Sequence, residues 1–243
     1  MTHKTLLTVD ANAKTIKGQK YGFMTGILYM APADLSGVNL CPMAEMAGCK
    51  AACLNSAGRG AMSNVQRARL SKARFFNTQR DAFMAVLVAD VARLARSAKR
   101  RGMTPLVRLN GTTDIRWESI PTDNGQTIFA RFPDVQFYDY TKIANRRDIP
   151  ANYDLTFSWS GVGAFPQYAK RAIETGMRVA VVFRDRGTIP AAFMGMRTVD
   201  GDDSDIRHLD PQGVVVALYA KGKAKRDASG FVIDRVIPIK VAA

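Results

Sequence analysis

The sequence predicts an α/β fold, with mostly parallel strands and outer helices forming a partial (β/α) barrel in a single domain over residues 1–243. Two observations carry this prediction. From residue 105 onward, near-continuous apolar runs such as 178–183 (Arg-Val-Ala-Val-Val-Phe) and 214–219 alternate with helical patterns. Strands buried on both faces of a parallel sheet read this way. The chain also holds about five or six strand–helix units, fewer than the eight of a closed barrel, which needs about 250 residues. A doubly wound open sheet is the competing architecture.

Residues 1–20 are polar without a clear period and read as an irregular arm or an edge strand. Residues 21–32 (Tyr-Gly-Phe-Met-Thr-Gly-Ile-Leu-Tyr-Met-Ala-Pro) are apolar and punctuated by glycine and proline, as in a buried strand leading into a loop. The segment 33–60, with Pro42, Gly48 and few long apolar side chains, reads as a wrapping loop that ends at the turn Gly58-Arg59-Gly60. Two helices follow. The first covers 62–76, with Val65, Ala68 and Phe75 or Phe76 near one face and Lys72 as a polar exception. The second, 79–101, puts Phe83, Val86, Leu87, Val91, Leu94 and Ala98 on one face that only Asp90 interrupts. Arg96, Lys99, Arg100 and Arg101 suit its negative C-terminal end, and Gly102 stops it.

Strands are then expected at 105–109, 135–138, 155–159, 178–183 and 214–219. Between them fall a weak helix closing at 128–131, a short helix over 143–147 and a longer one over 165–175. Residues 200–205 form an acidic, turn-rich loop, and 224–243 read as a terminal hairpin built on 231–233 and 236–239.

With 47% hydrophobic and 23% charged residues, the composition excludes disordered and membrane classes. No secretory h-region and no apolar span long enough for a bilayer is present, so a cytoplasmic location without membrane contact is expected. The net charge is +14, and between Glu45 and Asp81 there is no carboxylate. Lys50, Arg59, Arg67, Arg69, Lys72, Arg74 and Arg80 all lie there. This basic segment, 50–80, is a candidate surface for nucleic acid or another polyanion, the alternative being a solvated face without a partner.

All three cysteines, Cys41, Cys49 and Cys53, fall within the wrapping loop in a Cys-x7-Cys-x3-Cys pattern. In a reducing compartment an odd, closely spaced set favours metal or cluster ligation over a disulfide. Structural zinc normally takes four ligands, so a zinc site would need one of the two histidines, His3 or His208, and neither sits at knuckle spacing. Three thiolates can instead hold a [4Fe-4S] cluster with one iron open to a non-cysteine ligand or substrate. Reduced core cysteines are the third reading. On the loop after the first strand of a parallel sheet, the set faces the carboxyl edge, where α/β proteins build active sites.

Asn39-Leu40-Cys41-Pro42, Cys49, Ala52-Cys53-Leu54-Asn55 and Ala57-Gly58-Arg59-Gly60 resemble the bacteriophage "gene product 88" family of uncharacterised proteins. So do Val107-Arg108-Leu109-Asn110-Gly111-Thr112, Asp114 and Trp117, and the closing set Asp200 to Asp205, Arg207, Asp210-Pro211 and Ala220-Lys221-Gly222. The resemblance implies a phage protein, working in the host cytoplasm, and a shared cluster loop. More loosely, the chain resembles the core of radical S-adenosylmethionine (SAM) enzymes, which have three cysteines after the first strand and a small-residue motif after the second. Here Asn110, Gly111 and Thr112 stand in that second place, while the family's Cys-x3-Cys-x2-Cys spacing and Gly-Gly-Glu motif have no match.

Further candidates for binding SAM or an anionic substrate are polar residues at expected strand ends: Arg108 and Asp114, Lys142, Ser158 and Ser160, Arg184, and Lys221. Any one of them can instead be an ordinary turn or ion-pair residue. Asp200, Asp202 and Asp205 lack the register of an EF-hand and read as a turn or as partners for basic residues. No phosphate-binding Gly-x-x-x-x-Gly-Lys loop or Gly-x-Ser-x-Gly elbow is present, which sets hydrolases and nucleoside triphosphatases aside. The remaining functions are an iron–sulfur protein with radical SAM-like activity, a non-enzymatic iron–sulfur or zinc protein binding nucleic acid, and one binding a host or phage protein.

Overall fold

The computed structural model describes residues 3–9 and 13–234. Its strands are β1 (Leu7–Val9), β2 (Phe23–Leu28), β3 (Thr104–Arg108), β4 (Gln136–Thr141), β5 (Tyr153–Ser158), β6 (Val179–Phe183), β7 (Ala192–Phe193), β8 (Met196–Asp200), β9 (Val215–Tyr219) and β10 (Val232–Ile233). Its helices are α1 (Ala13–Gln19), α2 (Ser63–Thr78), α3 (Arg80–Arg100), α4 (Ile128–Arg131) and α5 (Phe165–Glu174).

The strands form one ten-stranded sheet in the order β1-β2-β3-β4-β5-β6-β9-β8-β7. From β2 to β8 every neighbouring pair is parallel, and the two edge strands are antiparallel. The sheet is open, so the expected partial barrel reduces to a mixed α/β fold with a mostly parallel sheet. Its edges are strands of 3 and 2 residues, too short to offer a long pairing template. The order follows the chain from β2 to β6 without reversal, which departs from a doubly wound sheet.

One face packs Met24, Leu28, Val107 and Phe137 against Leu87, Val91 and Leu94 of α3. Further along, Phe157, Val179, Val181 and Val215 meet Phe165, Ala169 and Ala172 of α5. The opposite face is covered by the segment around Ile206, which packs on Leu106 and Tyr138. The acidic loop lies here, and its carboxylates pair as expected: Asp205 with Arg108 at 3.2 Å, Asp202 with Lys221 at 2.5 Å and Asp200 with Arg186 at 3.1 Å.

The two polar interruptions of the helical patterns have one explanation. Asp90 Oδ2 accepts the backbone N–H groups of Leu6 (2.5 Å) and Leu7 (2.9 Å), and Lys72 Nζ donates to Leu6 O at 2.6 Å. Both side chains therefore tie the start of β1 to the α2–α3 pair, satisfying backbone groups that an edge strand leaves open.

One expected helix is corrected, the expected hairpin falls partly outside the described residues, and one strand pair carries no sequence signal. Residues 143–147 are not helical: Ala144 N is tied to Tyr168 Oη of α5 and Arg146 pairs with Glu118 and Asp114, so tertiary contacts hold these five residues as turns where a one-turn helix is too short to sustain itself. The first half of the expected terminal hairpin is β10, which pairs in parallel with β6, and the second half, 236–239, lies outside the described residues. The pair β7–β8 was not legible, since a strand of two residues carries no periodicity. Among the described residues no helix is long and apolar enough to cross a membrane.

Leu87 is fully buried against the sheet. Leu87→Ala is expected to cost about 2–5 kcal/mol, read from urea unfolding; a cost below about 1 kcal/mol would contradict the packing described.

Candidate metal centre

The wrapping loop sits at the carboxyl edge of the sheet because β2 points there in parallel with β3. It carries no regular element before Leu54 and is held by turns: Ala44 N to Cys41 O, Ala47 N to Met43 O, Gly48 N to Glu45 O. Gly48 has φ +65°, and a Cβ there would meet Val162 Cγ2 at 2.8 Å and Ser229 Oγ at 2.9 Å. Glycine is thus required by both backbone and space. The buried Ser160 hydroxyl donates to Ala47 O at 2.7 Å and fixes this turn to the chain after β5.

Each cysteine has a local polar contact. Cys41 Sγ accepts from Ala33 N at 3.3 Å and lies 3.7 Å from Thr112 O, while its own N–H goes to Asn39 Oδ1. Cys49 Sγ lies 3.7 Å from Ala44 O. Cys53 caps the 3-10 turn Leu54–Ser56, accepting from Asn55 N at 3.4 Å. The thiols are free and lie within electrostatic reach of one another. Burial pushes all three up, Cys41 to about 12. Lys142 opposes that rise at Cys49 and Cys53, and Arg69 opposes it at Cys53. Among the described residues no group of three or more His, Cys, Asp and Glu side chains converges as for a single ion. His3 bonds Ser71 and His208 packs edge-on to Phe23, so neither completes a zinc site.

Two buried cations flank the thiols. Lys142, only 9% exposed, follows β4 and donates to Ser158 O (3.0 Å) and Ser158 Oγ (3.1 Å), with its ammonium 4.8 Å from the Phe231 ring centroid. Burial lowers its pKa, and Cys49, Asp114 and Cys53 oppose that. Arg69, also 9% exposed, donates to Asn55 O and Oδ1 and lies over the Tyr29 ring. Burial lowers its pKa too, with Tyr29 and Cys53 opposing. Among the described residues neither has a carboxylate ion-pair partner.

The loop after β3 serves as the cysteine loop's floor. Gly111 N donates to Leu28 O, Thr112 Oγ1 to Met30 O at 2.6 Å, and Asp114 N to Leu40 O. A Cβ on Gly111 would stand 2.7 Å from Ile27 Cγ2 and from Leu28 O, so the glycine allows this close approach. Asn110 is 2% exposed; its Oδ1 accepts from Thr113 Oγ1, Ile115 N and Trp117 Nε1, and its Nδ2 donates to Ile115 O. Asp114 accepts from Thr141 Oγ1 and Lys142 N. The polar atoms expected to meet SAM are therefore engaged within the protein. Arg184 is also spent: it donates to Ala224 O, Lys225 O and Asp227 O and pairs with Asp234. It clamps the strap that packs Phe231 and Ala224 beside Cys49 and Ala52.

The family model described as "Gene product 88" matches residues 5–235. The chain belongs to the Gene product 88 family. No curated protein and no solved structure matches it. The match runs through the cysteine loop, the floor after β3 and the closing strap.

Asp139 was not singled out from the sequence, and Arg69 was read there only as part of the basic segment 50–80. Arg69 shares a buried stripe of α2 with Ala73 and Phe76, and an arginine at such a position was the available signal. Asp139 sits beneath the floor, accepting from Leu109 N (3.3 Å), Asn110 N (2.8 Å) and Tyr153 Oη (2.9 Å). Burial raises its pKa to about 7 against the opposing pull of Arg108. The folded protein then keeps this proton where the unfolded chain has lost it, so stability falls as pH rises from about 4 to 7. The expected loss is on the order of 4 kcal/mol. Asp139→Asn should flatten this limb in urea midpoints measured across that range; an unchanged slope would assign it to other groups.

Proposed function

We propose that Cys41, Cys49 and Cys53 hold a [4Fe-4S] cluster, leaving one iron without a protein thiolate. The observation that carries the reading is the pair of buried cations, Lys142 and Arg69, set against the thiols with no carboxylate partner among the described residues. Neutral thiols would leave Arg69 uncompensated and Lys142 balanced only by Asp114 through space, whereas thiolates on a cluster supply negative charge beside both cations. The donor set agrees: all-sulfur ligation suits iron–sulfur clusters. When bound, such a group offers an open iron to a ligand or substrate.

The chain's own residues have definable parts in this reading. Ala33 N and Asn55 N donate to the sulfurs of Cys41 and Cys53, and Lys142 and Arg69 balance charge. Phe231 and the strap held by Arg184 keep water from the Cys49 side. The looser likeness to radical SAM enzymes is an extension of the same proposal, supported by the sequential strand order and the place of the loop after the first parallel strand. Incubation with SAM and a reductant, followed by measurement of 5′-deoxyadenosine, tests that extension.

Anaerobic purification should give a brown protein with iron and sulfide, and each of Cys41→Ala, Cys49→Ala and Cys53→Ala should lose most of that iron. Stoichiometric zinc without iron, or full iron in all three variants, would overturn the proposal. Lys142→Met, which removes the charge but keeps the stem, should lower both cluster loading and its reduction potential.

A second reading rests on the solvent face of α2. Arg67 and Arg74 are exposed there and Arg59 is exposed in the turn before the helix, while Arg69 and Lys72 of the basic segment turn inward. This face suits the phosphate backbone of a nucleic acid. Binding to DNA or RNA should weaken steeply with salt, and the pair Arg67→Gln and Arg74→Gln should reduce the log–log salt slope by about 2. Salt-independent binding, or none, would remove this reading.

A further inference from the structure

A cavity of about 260 Å³ opens beside Cys41, between the wrapping loop, the α2–α3 junction and the segment after Asp114. Leu40, Pro42, Phe76, Ile115, Ile120 and Ile143 give it apolar walls. The polar part of the lining is Asn39, Asp114 and two guanidinium groups, those of Arg80 and Arg116. Arg80 Nε donates to Phe76 O at 2.8 Å, and its guanidinium lies 3.6 Å from the Phe76 ring centroid. Arg116 Nη2 donates to Asn145 Oδ1 at 3.1 Å. Neutral groups thus hold both cations in place, and among the described residues neither has a carboxylate ion pair. The carboxylate in the wall, Asp114, is committed to Thr141 Oγ1 and Lys142 N.

We propose that this cavity binds a small organic anion, an apolar body bearing one carboxylate or phosphate, with Arg80 and Arg116 as its charge clamp. Apolar walls with a few fixed polar groups are the usual make-up of a ligand site, and this volume lies just under the drug-sized range that begins near about 300 Å³. Planar guanidinium groups match both oxyanions, and pre-placed ones lose little freedom on binding. The site lies at the flank of Cys41, so its occupant would sit next to the cysteine loop. No thiol lines the cavity, and the inference stands whether or not the cluster proposal does.

Calorimetric titration of the full chain with benzoate, phenyl phosphate and the neutral benzyl alcohol tests the site. At least one of the two anions should bind saturably, with benzyl alcohol about tenfold weaker or worse. The anion that binds tells carboxylate from phosphate. Arg80→Gln and Arg116→Gln should each weaken that anion about tenfold, and Ile120→Trp, which fills the cavity, should abolish binding. Arg96→Gln, an exposed change on α3, should leave it unaltered. Melting temperatures confirm that each variant is folded before its affinity is read. Failure of both anions to bind, equal binding of benzyl alcohol, or unchanged affinity in both arginine variants would overturn the proposal.

Discussion

Buried carboxylates that accept backbone N–H groups at strand ends are the interaction on which the fold depends. Asp90 holds Leu6 and Leu7, Asp139 holds Leu109 and Asn110, Asp114 holds Lys142, and Asp202 holds Tyr219; the half-buried Asp227 does the same for Val232. An open parallel sheet leaves such groups at its carboxyl edge, where the chain turns away and no further ladder forms. A charged acceptor makes these bonds stronger than neutral turns would. The chain has only 21 acidic residues against 35 lysines and arginines, and spending carboxylates on backbone leaves cations to be balanced otherwise.

That imbalance shapes the cysteine site. Asp114 braces Lys142 through its backbone N–H while the ammonium reaches Ser158, so the lysine is positioned by a carboxylate without being paired to it. The floor repeats the logic one layer down, with Asp139 fixing Asn110 and Asn110 fixing the turn through Trp117. Thr112, carried by that turn, meets Met30 O and Cys41. Sheet, floor and cysteine loop therefore form one continuous polar chain. The strap adds the outer wall: the chain after β5 leaves the sheet, Gly161 N meets Gly230 O, and β10 takes the side of β6 that β5 vacates.

Much of this was legible from residue order. The apolar run of β6 and the 3.6-residue period of α3 both reflect burial of whole elements, which dominates local pattern. The cysteines, Lys142 and the loop after β3 were legible because strand ends in parallel sheets converge on one edge. What was not legible depends on contacts far apart in sequence. The helix expected over 143–147 gives way to turns held by Tyr168 at Ala144 and by Glu118 and Asp114 at Arg146. Arg184, read as an anion ligand, instead clamps a strap some 40 residues onward.

The sequence by itself determined the α/β class, the parallel strands, the family and the clustering of three thiols in one loop, since each is written in local pattern or spacing. Only the tertiary structure decided that the sheet stays open, that Asn110 and Asp114 are engaged inside the protein, and that Arg69 joins Lys142 beside the thiols. The physical reason is that burial and charge compensation are set by whatever packs alongside. For Cys53 and Arg69 those neighbours come from a loop and a helix whose roles the chain order does not show.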